Sequence, residues 1–184
     1  FSSSCTVYGE PDENPVTERS PIKKATSPYG NTKQISEEII TDVINAGAPF
    51  KSIILRYFNP VGAHPSAEIG ELPNGVPQNL IPYLTQTAIG ETSGSSGEPV
   101  RYSQLPEDYM MPGHEDGTAM PRGTHSIVDR GIGGRYCIRD FIDVVDLARA
   151  HVIAVERMLE DKSDAKIEIF NLGTGNGLSV MELI

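Results

Sequence analysis

The chain has 184 residues, 38% of them hydrophobic, which is enough apolar material for a core in one or two domains. Its formal net charge of −10 argues against nucleic acid or an anionic membrane surface as partner, and no apolar run approaches the roughly 20 residues that cross a bilayer. Cys5 and Cys137 lie far apart without a paired metal spacing, so reduced thiols in a cytoplasmic enzyme are the expectation.

In chain order, Phe1 to Val7 reads as the end of a buried strand and the loop at its carboxyl edge. Ser27 caps and Pro28 starts a helix, with Ile35, Ile39, Val43 and Ile44 expected to keep one face apolar until Gly47 ends it. Ser52 to Phe58 predicts a buried strand that delivers Asn59 to the same sheet edge as the first. Val61 to about Gly75 has prolines, glycines and no period, and reads as an excursion from the sheet. A helix carrying Leu80, Ile81, Leu84 and Ile89 follows, then a flexible Ser/Gly stretch from Glu91 to Gly97. Ala119 to Cys137, glycine-rich with mixed charges, reads as a surface loop. His114, Glu115, Asp116, His125 and Asp129 are spread through a stretch that reads as a solvated loop, so no metal site is assigned. Asp143 to Leu159 predicts a helix with a stripe of Ala148, Val152, Val155 and Leu159, and Lys166 to Leu172 a strand. Gly173 to Gly177 reads as a structural turn, and Ser179 with Glu182 as a capping box. The alternation of strands and helices predicts an α/β fold with a parallel sheet and crossover connections.

Three residues of this plan share a chemistry. Lys33 follows Tyr29 by four positions, so both lie on one helix face a turn apart. A phenol with a reference pKa of about 10 is a weak base at neutral pH unless its anion is stabilised, and a cation within roughly 4–6 Å lowers an acid by about 1–3 units. Ser4, at the sheet edge, is placed to hold a substrate hydroxyl in line with the phenolate.

The runs Ser2-Ser3-Ser4-Cys5-Thr6-Val7-Tyr8-Gly9, Ser27-Pro28-Tyr29-Gly30-Asn31-Thr32-Lys33 and Leu55-Arg56-Tyr57-Phe58-Asn59-Pro60-Val61-Gly62-Ala63-His64 resemble the extended short-chain dehydrogenase/reductase superfamily. Within it the UDP-glucose 4-epimerases are the closest match. Pro73-Asn74-Gly75-Val76-Pro77-Gln78-Asn79-Leu80-Ile81-Pro82-Tyr83 and Asn171-Leu172-Gly173-Thr174-Gly175-Asn176-Gly177-Leu178-Ser179-Val180 are similar to two further signatures of that group. The resemblance implies a partial Rossmann-like, doubly wound sheet (residues 1–59 and 140–175) and part of a smaller substrate-binding domain (60–139 and 176–184) with an insertion near 119–137. It also implies that the chain is an internal fragment, inactive alone, whose glycine-rich dinucleotide loop lies upstream.

The same resemblance implies NAD as cofactor, a UDP-sugar as substrate and a homodimer as assembly. Ser4, Tyr29 and Lys33 stand as catalytic residues that also touch NAD, joined there by Tyr57 and Phe58. Ser4, Tyr29, Asn59, Asn79, Leu80, Tyr102 and Arg139 stand as substrate contacts, Arg139 as a diphosphate ligand by its planar fork. An ion pair of Arg139 with Asp140 or Asp143 is the structural alternative. Phe141 and Asp143 depart from the Tyr and His more usual at their positions. Two other functions remain open at this point: a sister nucleotide-sugar dehydratase or decarboxylase, and a non-enzymatic module that binds NAD.

Overall fold

The computed structural model describes residues 1–71, 73, 79–88, 127–128, 137–179 and 182. The chain folds as two compact units, Phe1–Pro60 with Arg139–Leu178, and Val61–Ile138 with Ser179–Ile184.

The first unit is built on a three-stranded parallel sheet of β1 (Ser2–Ser4), β2 (Ser52–Tyr57) and β6 (Ile167–Leu172), in the order β1-β2-β6. Helix α1 (Pro28–Asn45) joins β1 to β2, and α3 (Val144–Leu159) precedes β6. This is the α/β arrangement expected from the sequence, Rossmann-like with a helix on each face. The two faces are identified by side-chain alternation along the strands. Ser3 and Arg56 bond to Glu37 of α1, whereas Ile53 and Leu55 pack on Ala154 of α3 and Ser2 meets His151. Both connections step the same way across the sheet, so helices on opposite faces give them opposite hands.

The helix ends form where the sequence places them. Ser27 Oγ accepts from Gly30 N at 3.0 Å with Pro28 behind it. Gly47 adopts φ of 99°, a left-handed conformation suited to glycine, and its N–H closes on the Ile44 carbonyl at 3.0 Å. Asp143 caps α3, accepting from Val145 N at 2.7 Å, so an acid stands where the family pattern has His because it starts the helix.

The buried faces differ from the expected ones. On α1 the inward positions are Gly30, Glu37 and Ile44, while Ile35, Ile39 and Val43 are exposed, Ile39 by 57%. At about 100° per residue, Ile39 lies roughly 200° from Glu37, so three of the four predicted core residues point away from the sheet. On α3 Leu147 and Ala154 face inward, and Ala148, Val152, Val155 and Leu159 are all exposed, about a third of a turn round the helix.

A polar network takes the place of the missing apolar contact beneath α1. Ser3, Arg56 and Asn171 are register partners across all three strands. Arg56, 4% exposed, donates from Nε to Glu37 Oε1 at 3.0 Å and from Nη2 to Oε2 at 2.5 Å. Ser3 Oγ donates to the same Glu37 carboxylate. Arg56 Nη1 donates to the Tyr8 hydroxyl at 3.0 Å, which donates to Asn171 Oδ1 at 2.6 Å. Burial alone disfavours the Arg56 charge, but the bonds to Glu37 and Tyr8 outweigh it and hold the guanidinium above its ordinary pKa.

In the second unit, α2 (Leu80–Ala88) buries Leu80 and Tyr83, and the Asn79 carbonyl accepts from Tyr83 N at 3.2 Å. Ser179 and Glu182 form the expected capping box, with Glu182 N donating to Ser179 Oγ at 3.3 Å and Ser179 N to Glu182 Oε2 at 2.8 Å. Strands β3 (Asn59–Val61), β4 (Ile127–Val128), β5 (Cys137–Asp143) and β7 (Gly177–Ser179) pair in the order β3-β5-β4 with β7 also on β5, and most residues of β3, β5 and β7 belong to the first unit. Ile127 and Val128 pair antiparallel with Ile138 and Cys137. Two β-branched residues of the segment expected to be a surface loop are thus strand. The Glu91–Gly97 stretch and the five acidic and His residues weighed as metal ligands lie outside the described residues.

Ile44→Ala is expected to cost about 2–5 kcal/mol, whereas Ile39→Ala changes stability by no more than about 0.5 kcal/mol. Urea unfolding midpoints of the two variants check which face of α1 is buried.

Candidate active site

The carboxyl ends of β1 and β2 and the first turns of α1 meet in the first unit. Parallel sheets carry their ligands at this edge, because strand ends there open into loops and helix N-termini. Ser4 is the last residue of β1, and its Oγ accepts from Thr6 N at 3.2 Å, capping the 3-10 turn Cys5–Tyr8. Its register partner on β2 is Tyr57. Tyr29, the second residue of α1, is 49% exposed and its phenol lies within the electrostatic reach of the Ser4 side chain. Gly30 lets the helix start approach closely, since a Cβ there would sit 3.2 Å from the Thr6 carbonyl.

Lys33 is one turn further along, its Nζ 5.5 Å from the centroid of the Tyr29 ring. The spacing argument expects it to draw the phenol toward neutral pH, and the structure differs. Burial raises the Tyr29 pKa above its ordinary value; the Ser4 side chain opposes this, and Tyr57 and Cys5 add to the rise. The lysine is engaged elsewhere. Its ammonium donates to the Ser2 carbonyl at 2.8 Å and also lies 5.4 Å from the Phe1 ring centroid.

Phe58 packs on the buried cluster of Cys5, Val7 and Tyr8, and its N–H donates to the Leu172 carbonyl at 3.0 Å. Asn59 Nδ2 donates to the Asp140 carbonyl at 3.2 Å, which ties it to the strand that carries Arg139. Arg139 is 4% exposed. The two acids weighed as its partners turn their carboxylates to backbone groups. Asp140 Oδ1 accepts from Thr174 N and Oγ1 and its Oδ2 from Gly175 N, each at 2.8 Å, and Asp143 caps α3. The Gly173–Gly175 turn is therefore structural, as its sequence suggests. A Cβ at Gly173 would lie 2.5 Å from Asp140 Oδ2 and 2.9 Å from Phe58 Cδ2.

Ser4, Tyr29, Lys33, Tyr57, Phe58, Asn59 and Arg139 all belong to the first unit. Asn79, whose Nδ2 donates to Glu71 Oε1, and Leu80 belong to the second, at the start of α2. Tyr102 lies outside the described residues. One residue beside the site went unread in the sequence: His151 stacks tilted against Tyr57, with centroids 5.9 Å apart, while its Nε2 meets Ser2 Oγ at 3.3 Å. The spacing of His151 within an ordinary amphipathic helix carries no signal for either contact.

Residues 1–102 match the model of the NAD dependent epimerase/dehydratase family. UDP-glucose 4-epimerase 2 of Arabidopsis thaliana is 45% identical over all 184 residues, which cover 44% of its length. The UDP-glucose 4-epimerase of Bifidobacterium longum, solved in complex with NAD+ and UDP, superposes with a TM-score of 0.70 at 42% identity, over 100% of this chain and 45% of that one. That of Stenotrophomonas maltophila, with bound NAD and formylated UDP-arabinopyranose, gives a TM-score of 0.71 at 41% identity, again over 100% and 45%. The chain thus spans less than half the length of the relatives it matches.

Cys5 is buried beside Ser4, and burial pushes its thiol up from 9.0 to about 12. In a Cys137→Ser background the native protein should resist iodoacetamide at pH 8 and react only on unfolding. Because the unfolded thiol loses its proton first, stability from this group falls as pH rises from 9 toward 12. Gly173→Ala should cost about 1–3 kcal/mol by crowding Asp140 and Phe58, read from the thermal midpoint.

Proposed function

The chain belongs to the NAD dependent epimerase/dehydratase family, and from that premise we propose that the protein is a UDP-glucose 4-epimerase. It interconverts UDP-glucose and UDP-galactose through a transient 4-keto sugar and keeps NAD bound throughout. The observation that carries this reading is the grouping of Ser4, Tyr29 and Lys33 at the carboxyl edge of the sheet, with the phenol half exposed beside Ser4.

These residues fit the nicotinamide end of the cofactor. A phenol hydroxyl and an ammonium one helical turn apart offer donors to ribose hydroxyls, on a surface where the tyrosine is open rather than packed away. Tyr29 and Lys33 would hold it there, with Tyr57 and Phe58 beside them. When bound, NAD supplies the acceptor and donor for the C4 hydride and a positive charge next to the phenol.

The remaining steps belong to the protein. Ser4 orients the C4 hydroxyl toward Tyr29 Oη, which removes its proton as a general base and returns it after the sugar has turned. The N–H groups at the start of α1 favour the phenolate, since Tyr29 occupies the positive end of the helix. Asn59, Asn79, Leu80 and Arg139 anchor the UDP portion, leaving the sugar few contacts and freedom to present either face. Tyr102 is assigned to the uracil on family pattern alone. The second unit serves as part of the substrate-binding domain. The exposed stripe of Ile35, Ile39 and Val43 on α1 supports a homodimer, and the absence of a membrane-spanning helix among the described residues is compatible with a cytoplasmic location.

Incubating the full-length gene product with UDP-galactose, and measuring UDP-glucose formed and nicotinamide retained, tests the assignment; no turnover with NAD bound would overturn it. Tyr29→Phe should lower turnover by roughly 10²–10⁴ with UDP affinity preserved. A change confined to affinity would make Tyr29 a contact only. Lys33→Met removes a cation from the phenolate, so the low-pH limb of the rate profile should move to higher pH.

A further inference from the structure

We propose that Glu37 is a positioning residue for Tyr29 and Lys33, its carboxylate fixing the rotation and height of α1 against the strands that carry Ser4 and Tyr57. The proposal rests on the catalytic reading of Tyr29 and Lys33 given above.

Residues 29, 33 and 37 follow at helical intervals of four, along one side of α1. Among the described residues, buried Ile44 and the Lys33 bond to the Ser2 carbonyl of β1 help to hold this helix, beside contacts at Gly30, Gln34 and Glu37. Gly30 abuts Thr6, and Gln34 Nε2 donates to the Val7 and Lys23 carbonyls at 2.8 and 2.5 Å, so both of these anchor α1 to loop segments. Glu37 ties it to strands: to Ser3, next to Ser4 on β1, and to Arg56, next to Tyr57 on β2. Apolar packing tolerates small slips of a helix on a sheet, and here the apolar stripe of α1 faces away from the sheet in any case. A carboxylate gripped by both guanidinium nitrogens has one register only, and fixing register is the best-attested use of a buried ionic pair. A shift of one turn would carry Tyr29 about 5.4 Å from Ser4.

The groups facing Glu37 are Ser3 from β1, Arg56 from β2 and, through Arg56, Tyr8 of the 3-10 turn. Those facing Tyr29 are Ser4 and Cys5, Tyr57 from β2 and Lys33 of its own helix. Beyond Tyr57 stands His151 of α3. Since these two sets have no ionisable group in common, Glu37 acts on the phenol through the helix rather than by direct charge.

The test uses the full-length gene product. Glu37→Gln keeps the side-chain shape and removes the charge, Glu37→Asp keeps the charge, and Ile44→Val on the same helix serves as the stability control. Glu37→Gln is expected to lower kcat roughly 10–100-fold, the scale of a misplacement near 1 Å, with KM for the UDP-sugar within about threefold. The Tyr29 phenol titration, followed by ¹³C-tyrosine NMR and assigned with Tyr29→Phe, should move with it. Glu37→Asp should recover part of both. Ile44→Val should lower the thermal midpoint and leave kcat and the titration in place. If Glu37→Gln does not fold, Ser3→Ala removes one donor to the carboxylate and gives the same readouts, with a smaller loss of kcat expected. A kcat and a phenol titration that Glu37→Gln or Ser3→Ala leaves unchanged, or moves no more than Ile44→Val does, would overturn the proposal. Should the parent enzyme prove inactive, the function assignment fails separately, and the phenol titration alone decides whether Glu37 positions Tyr29.

Discussion

The buried pair of Glu37 and Arg56 is the constraint on which the first unit turns. An arginine in the middle of a parallel strand, 4% exposed, is admissible only with its donors satisfied. Nε and Nη2 go to Glu37 and Nη1 to Tyr8. Meeting that demand requires a helix above the strand with an acid facing down, a neighbouring strand that presents a hydroxyl, and an aromatic turn that closes the far side. Ser3, Tyr8 and Asn171 supply the rest, and because Ser3, Arg56 and Asn171 share one register row, the network also reports correct alignment of all three strands. Removing a single member would leave a charge or a donor stranded, so the network specifies an arrangement more than it adds net stability.

This explains why element ends were legible in the sequence and faces were not. Ends are set by local chemistry: Ser27 and Pro28 start α1, Gly47 closes it, and Ser179 with Glu182 caps the last described segment. Faces depend on what lies opposite. Hydrophobic periodicity placed Ile35, Ile39 and Val43 inward because apolar residues usually face a sheet, but the sheet beneath α1 offers a guanidinium and attracts Glu37. The same segment read as an apolar strand concealed Arg56 among Ile53, Ile54 and Leu55, and nothing local pairs residue 37 with residue 56. On α3 the expected stripe of Ala148, Val152, Val155 and Leu159 likewise outweighed the narrower inward line of Leu147 and Ala154.

The candidate site divides in the same way. The helical spacing of Tyr29 and Lys33 and the strand end at Ser4 are local facts, and the structure groups them. The protonation of the phenol is not local. It depends first on burial, which raises the phenol's pKa, while Lys33 donates to the Ser2 carbonyl at 2.8 Å. Arg139 shows a related limit: its neighbours Asp140 and Asp143 look like ion-pair partners in sequence, yet one is committed to the Thr174–Gly175 turn and the other to the cap of α3. Carboxylates beside an arginine are drawn as readily to orphan backbone N–H groups at a turn or helix start, where charge-assisted bonds are strong.

The phenol is held between opposing influences. Burial, with Tyr57 and Cys5 nearby, favours the neutral form, while the Ser4 side chain and the positive end of α1 favour the anion, and in the chain alone the first prevails. On the proposed reading, NAD held beside Tyr29 and Lys33 would add a positive charge next to the phenol and draw its pKa down toward neutral pH. The half-open position of Tyr29 leaves room for such a charge, and under the proposal above Glu37 fixes the helix that sets this position.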